Sequence, residues 1–188
     1  MSPVPLFDRT KPYQQVPFQY SLHSIEEEGG ECLHREFLAK PGVDPQEEIA
    51  EKLLCEIPSH ACILAYNMSF EKRVLKSFQV LLPEKATSIQ ILIDNMRDLM
   101  EPFRKRDVYY WEFEGSYSIK DVLPVLVPDF SYEGMKIVNG GMAMEAYHRM
   151  SALEDPAELK KLRDNLLEYC KLDTFAMMKI LEKIKTLV

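Results

Sequence analysis

Residues 62–71 read Cys-Ile-Leu-Ala-Tyr-Asn-Met-Ser-Phe-Glu, and this stretch gives the strongest indication of the architecture. Its first five residues form an unbroken apolar run, which is typical of a strand buried on both faces of a sheet. The segment after it has apolar residues at helical spacing and ends at Pro83. A helix is therefore expected to begin near Ser69, directly after the strand. A strand followed at once by a helix indicates an α/β protein.

The flanking segments add further elements to this pair. Residues 16–25 alternate between apolar and polar, and residues 32–38 follow an acidic turn that ends in two glycines, so an antiparallel hairpin is expected. Asp44 and Pro45 predict the start of a helix that runs to about residue 56. Short strands are expected within 97–113, and helices over 86–95, 118–126, 142–150 and 156–187. The prediction is one domain, 1–188, with a mixed sheet flanked by helices.

Composition limits the possible classes of protein. The net charge of −7 opposes bulk electrostatic coating of nucleic acid, although a carboxylate site for metal ions is itself acidic. No apolar run approaches the roughly 20 residues that cross a bilayer, and the amino terminus lacks a signal-peptide pattern. The four cysteines are widely spaced, which favours free thiols in a reducing compartment. A cytoplasmic protein is expected.

Two short patterns combine cysteine and histidine. Cys32 and His34 are two residues apart, as are His60 and Cys62, so each pair lies on one face of a strand. All four could in principle converge on a zinc ion. Structural zinc sites usually occupy tight turns, and ordinary strand residues are the favoured interpretation.

Two carboxylates occur where catalysis is possible. Glu71 lies in a first helical turn at the carboxyl end of a buried strand, where open α/β sheets place their ligands. The alternative for Glu71 is the favourable effect of an acid on the helix dipole, about 0.3–1 kcal/mol. Tyr169 and Asp173 are four residues apart and share a helix face, so they could orient a water and bind a metal ion. The alternative is a core tyrosine beside a solvated or capping aspartate.

Taken in order, these motifs resemble those of the DnaQ-like 3′–5′ exonucleases, which have the ribonuclease-H-like fold. Asn67 to Glu71 resembles the second motif of that superfamily, and Tyr169 to Asp173 resembles its third, tyrosine-bearing motif. The resemblance implies metal ligation by Glu71 and Asp173, water positioning by Tyr169, and substrate contacts from Asn67 and Phe70, with Asn67 alternatively fixing the turn. It also implies two Mg²⁺ or Mn²⁺ ions, which hard carboxylate oxygens suit, and a single-stranded DNA or RNA substrate.

The sequence departs from that pattern in two ways. The first exonuclease motif, Asp-x-Glu on the central strand, is absent, and Asp8 is the one acid before the first expected strand. Glu71 also stands where the superfamily usually has Asp. We therefore expect a truncated domain that lacks its first strand and is inactive alone.

A second resemblance covers nearly the whole chain. Segments including Pro17 to Ser21, Tyr66 to Glu71 and 115–123 resemble an uncharacterised bacterial domain family. Its members often follow a RecB- or Cas4-like nuclease domain, which implies such a domain upstream as a partner. Two alternatives stay open: a non-catalytic ribonuclease-H-like module attached to a nuclease, and an oligomerising structural domain.

One further segment suggests contacts with nucleic acid. Three basic residues at 104–106 precede Tyr109, Tyr110 and Trp111, an arrangement that could stack single-stranded bases. A solvated turn followed by a half-buried strand explains the pattern equally well.

Overall fold

The computed structural model describes residues 5–130, 132 and 134–187. Within these residues the strands are β1 (Gln19–Ile25), β2 (Cys32–Leu38), β3 (Ile63–Ala65) and β4 (Met96–Asp98). The helices are α1 (Gln46–Glu56), α2 (Ser69–Leu81), α3 (Ala86–Asp94), α4 (Glu101–Arg104), α5 (Ile119–Leu126), α6 (Gly140–Met150) and α7 (Pro156–Lys185). Two 3₁₀ turns, Pro83–Lys85 and Trp111–Phe113, complete the set.

The predicted α/β class is confirmed. The strands form two separate two-stranded sheets in the described part of the chain. β1 pairs with β2 in the antiparallel direction, from Gln19 opposite Leu38 to Ile25 opposite Cys32. β3 pairs with β4 in the parallel direction. Both strand directions expected of a mixed sheet are therefore present, but each has its own sheet.

The chain divides into two compact units. Unit 1 contains the described residues up to Leu53 together with Gly134–Lys171, and unit 2 contains the described residues of 54–132 and of 172–187. Each unit is thus assembled from two segments that are far apart in sequence. A single domain over 1–188 stays a prediction.

Unit 1 packs the hairpin against α6 and the first part of α7. Phe18, just before β1, stacks on Tyr147 of α6 with ring centroids 4.2 Å apart. Asn139 caps α6, since its Oδ1 accepts the Met142 backbone N–H at 2.9 Å. The buried apolar cluster of this unit consists of Leu38, Ala39, Ile137, Ala143, Tyr147, Met150 and Leu166.

Unit 2 contains the parallel strand pair and four of the shorter helices. Ser118 caps α5 by accepting the Lys120 N–H, and α5 is strongly amphipathic. Its apolar face joins α4, the second 3₁₀ turn and the last turns of α7. That cluster consists of Leu99, Phe103, Phe113, Val122, Leu123, Leu126, Ala176 and Ile180.

Most of the helices predicted from the sequence are present in the structure, and one predicted region differs from it. The prediction of short strands across 97–113 is confirmed only for β4, because α4 and the second 3₁₀ turn lie in the remainder of that region. Pro102 lies in the first turn of α4, a position that its fixed φ favours. The helix expected over 156–187 is a single element that ends at Lys185.

None of the described helices is both long enough and apolar enough to span a bilayer. α7, the longest, has 30 residues and carries charged side chains throughout its length. The cytoplasmic location stays a prediction.

Replacing Leu123 by alanine should destabilise the protein strongly. Leu123 is 1% exposed in the unit 2 cluster, and truncating such a side chain leaves a cavity that costs about 2–5 kcal/mol. Urea unfolding measures the change in the free energy of unfolding. Val80→Ala is the control, because Val80 is 83% exposed and its truncation should cost less than about 0.5 kcal/mol.

Candidate functional site

The candidate site lies at the carboxyl end of the parallel strand pair in unit 2. The register places Ile63 opposite Met96 and Ala65 opposite Asp98, so both strands end at the same edge. Asp98 is the last residue of β4, while Asn67 and Glu71 follow β3 directly. This is the edge at which open α/β sheets bind their ligands.

Asp98 organises the turns that leave both strands. Its Oδ1 accepts hydrogen bonds from the backbone N–H groups of Asn67 and Met100, each at 3.0 Å. Asn67 adopts the left-handed conformation, with φ of 66°, which asparagine tolerates better than most residues. Its side-chain Oδ1 accepts the Ser69 hydroxyl at 2.6 Å. Asn67 therefore shapes the strand-to-helix turn, and its contact with a substrate stays a prediction.

Glu71 is a partly buried carboxylate whose charge no described cation neutralises. It lies in the first turn of α2, and its Oε2 is buried without a hydrogen-bond partner in the described structure. Burial raises the pKa of Glu71, its own backbone N–H opposes that rise, and the negative charge of Asp98 adds to it. Neither Glu71 nor Asp98 takes part in any of the described ion pairs.

A tyrosine connects this edge to the segment around Ser118. Tyr66 donates its hydroxyl hydrogen to the Tyr117 carbonyl oxygen at 2.8 Å. Burial raises the pKa of Tyr66, and the nearby charges of Asp98 and Asp121 raise it further. Asp121 accepts the Ser116 hydroxyl at 2.5 Å. The 115–123 segment thus lies beside the strand ends, and its Asp121 is the second carboxylate, after Asp98, in the surroundings of Tyr66.

The remaining predicted residues have different environments. Phe70 is 44% exposed in the first turn of α2. Asp173 belongs to unit 2. Burial raises the pKa of the Tyr132 hydroxyl, and the negative charge of Asp173 raises it further. Tyr169 belongs to unit 1 and packs partly buried against the apolar cluster of that unit. The structure thus brings Glu71 and Asn67 together around Asp98, and the roles of Asp173 and Tyr169 in a site stay predictions.

Sequence reasoning missed Asp98. It lies in no recognisable motif, and its importance comes from the parallel pairing of a strand only three residues long. The available signal was topological, because the carboxyl ends of parallel strands meet at one edge. An acid at the end of any strand near residue 97 was therefore a candidate.

Glu71 and Asp98 fit a hard divalent cation. The partnerless buried oxygen of Glu71 lies near a second carboxylate, and none of the described residues donates to Asp98 Oδ2. The described residues contain no group of three or more His, Cys, Asp and Glu placed to hold a metal ion. Mg²⁺ suits such a site, because it often binds through one or two carboxylates and keeps water and phosphate oxygens as its other ligands.

Comparison with known proteins places the chain in a family. A family model described as a domain of unknown function, DUF2779, matches residues 1–118. The chain therefore belongs to this uncharacterised domain family. No curated protein and no solved structure matches the chain.

Replacing Glu71 by glutamine should stabilise the protein at neutral pH. The pKa of Glu71 is raised in the folded protein, so folding disfavours its charged form. The charged carboxylate therefore lowers the free energy of unfolding, and this destabilisation is fully present at pH values well above the folded pKa. We expect a gain of up to about 1 kcal/mol at pH 7, since the partly exposed position reduces the effect. Urea unfolding at several pH values measures it.

The stabilisation should disappear as the pH falls to about 4 and below, where the unfolded carboxyl also takes up its proton. Glu84→Gln is the matched control, because Glu84 is exposed and its replacement should leave stability unchanged. A loss of stability in E71Q at pH 7 would contradict the expectation.

Proposed function

We propose that this chain is part of a metal-dependent 3′–5′ exonuclease that acts on single-stranded DNA or RNA. One observation carries the proposal: a buried, partnerless carboxylate oxygen of Glu71 near Asp98, at the carboxyl edge of a parallel strand pair. The ordered resemblance of residues 67–71 and 169–173 to exonuclease motifs supports the same chemistry.

Each residue has a defined task in this proposal. Glu71 and Asp98 would hold a Mg²⁺ or Mn²⁺ ion through carboxylate oxygens, with Asp173 as the carboxylate of the third motif. Asn67 holds the turn that presents Glu71, through the hydrogen bond from its backbone N–H to Asp98. Tyr169 would position the attacking water. A bound divalent ion polarises a phosphoryl oxygen and lowers the pKa of its water ligand.

The sequence contains no Asp-x-Glu, the pair with which exonucleases of this type complete their site. We propose that this pair comes from a strand encoded upstream, next to a RecB- or Cas4-like nuclease domain. The chain alone is then expected to bind the ion without completing hydrolysis. Metal binding and hydrolysis are therefore tested separately.

The first test measures Mn²⁺ binding by titration calorimetry. The native chain should bind Mn²⁺, and E71Q and D98N should each weaken binding at least about tenfold, because a carboxylate ligand becomes a neutral amide. E84Q should bind as the native chain does. Equal binding by all four proteins would place the ion elsewhere and remove the assignment.

Hydrolysis is tested on 3′-labelled single-stranded DNA and RNA with Mn²⁺. The assay compares this chain with the longer gene product, should the coding sequence continue upstream, and with that product carrying Asp173→Asn. Stepwise shortening by the longer protein, lost in D173N, supports the exonuclease. No shortening by a folded protein that binds Mn²⁺ would refute it.

An exposed surface in unit 2 supports single-stranded nucleic acid as the substrate. We call it the aromatic–basic surface, and it consists of Arg104, Lys105, Arg106, Tyr109 and Trp111. Trp111 is 77% exposed and Tyr109 is 53% exposed, although burial of such rings is the common outcome. Lys105 pairs with Glu101 at 2.5 Å, whereas no described acid pairs with either arginine. Exposed rings beside unpaired guanidinium groups suit stacked bases and their phosphates.

Replacing Trp111 by alanine should weaken binding of a single-stranded oligonucleotide. Loss of one stacked base corresponds to about 1–3 kcal/mol. Fluorescence anisotropy with a labelled oligonucleotide measures the affinity, and Trp111→Phe should retain part of it. Val80→Ala is the control, because Val80 is an exposed apolar residue on α2. Equal affinity of W111A and the native chain would exclude this surface.

A second candidate is a non-catalytic module that binds nucleic acid for a neighbouring nuclease. Two observations favour it: no described group of three or more ligating side chains surrounds a metal position, and Tyr169 packs against an apolar cluster. This candidate predicts oligonucleotide binding that depends on Trp111 but not on Mn²⁺. The exonuclease predicts dependence on both.

A further inference from the structure

A pair of histidines lies across the β1–β2 hairpin of unit 1. His23 and His34 are directly opposite each other in the strand register. Their ring centroids are 4.6 Å apart, and the ring planes are tilted by 32°. Side chains of directly opposite residues project from the same face of a sheet. The two imidazoles therefore form a close pair on one face of the hairpin.

The next opposed pair on that face, Ser21 and Glu36, contacts one of the rings. The Ser21 hydroxyl lies 2.9 Å from His34 Nε2, and a Glu36 carboxylate oxygen lies 3.8 Å from the same nitrogen. Ser21 is buried, so its hydroxyl gives the ring a fixed neighbour. Nδ1 is the nitrogen of His34 that neither of these side chains contacts.

We propose that His23 and His34 bind a borderline divalent cation such as Zn²⁺, Ni²⁺ or Cu²⁺. Imidazole nitrogen suits these ions, whereas Mg²⁺ and Mn²⁺ prefer carboxylate and water. Zinc binds imidazole nitrogen at about 2.0–2.1 Å, so one ion requires two rings close together. No described group of three or more ligating residues exists, so water fills the other coordination positions. The proposal is independent of the carboxylates of unit 2.

The contacts of His34 match those of a metal-bound histidine. Such a residue generally gives its other ring N–H to a carboxylate or another acceptor, which fixes the tautomer and the ring orientation. The Ser21 hydroxyl, 2.9 Å from Nε2, occupies that position, and the Glu36 carboxylate lies nearby at 3.8 Å. Nδ1 is therefore the nitrogen of His34 that we assign to the ion.

One charged residue near the histidine pair opposes the binding of a cation and another favours it. Burial lowers the pKa of His23 to about 4, with further lowering by His34 and Lys171. Burial also lowers the pKa of His34, against the opposing effect of Glu36. Neutral imidazole is the form that ligates metals. Lys171 repels a cation and Glu36 attracts it, so Lys171→Gln should tighten binding and Glu36→Gln should weaken it.

The test is calorimetric titration of the full chain with NiCl₂ at pH 7.5. His23→Gln and His34→Gln should each weaken Ni²⁺ binding at least about tenfold, the loss that even outer-shell changes cause in metal sites. His60→Gln is the matched control, because His60 is an exposed histidine in unit 2, and it should bind as the native chain does. In an E71Q background, where the unit 2 carboxylates bind Ni²⁺ more weakly, the losses in H23Q and H34Q should persist. Native affinity in H23Q and H34Q, or loss in H60Q, would overturn the proposal.

A second measurement needs no variant and applies even where a substitution prevents folding. Substoichiometric Cu²⁺ broadens the NMR signals of the side chains that bind it. The ring protons of His23 and His34 should broaden before those of His60 and His148 in the native chain. Earlier broadening of His60 or His148 would place the ion elsewhere and refute the pair.

Discussion

The two backbone hydrogen bonds that Asp98 accepts hold the edge of the parallel strand pair together. β3 and β4 have three residues each, and in the described part of the chain backbone hydrogen bonds from Ile63 N–H to the Asn95 carbonyl and from Leu99 N–H to the Ala65 carbonyl extend their pairing. One carboxylate oxygen of Asp98 then accepts a backbone N–H from the turn after each strand, from Asn67 and from Met100. The same side chain thus fixes the backbone and adds its negative charge to the burial that raises the pKa of Glu71.

Two sets of acidic residues in this chain have contrasting surroundings. Glu47, Glu101 and Asp164 form exposed ion pairs with Arg9, Lys105 and Lys160, and such pairs contribute little to stability. Glu71 and Asp98 instead take part in no described ion pair, and the negative charge of Asp98 adds to the rise in the pKa of Glu71. Like charges at a partly buried edge oppose folding, and proteins concentrate perturbed carboxylates of this kind at functional sites.

Local pattern determined how much of this architecture was predictable. The helix from Ser69 to Leu81 and the strand from Cys32 to Leu38 follow from periodicity and turn residues, which act over a few neighbours. β4 has no such pattern, because Met-Arg-Asp becomes a strand only through pairing with β3. Asp98 could not be identified from the sequence for the same reason, since its position at the end of a strand depends on that pairing. The His23–His34 pair depends on hairpin register, which the position of the glycine turn nearly defines.

α7 supplies apolar residues to the cores of both units. Leu166 is fully buried in unit 1, while Ala176 and Ile180 are fully buried in unit 2. Neither core can therefore close on the ribosome until these late residues have left the exit tunnel. The hairpin and the parallel strand pair are synthesised much earlier, so their apolar faces stay uncovered until α7 has emerged. This delay exposes the nascent protein to aggregation and makes chaperones useful during its synthesis.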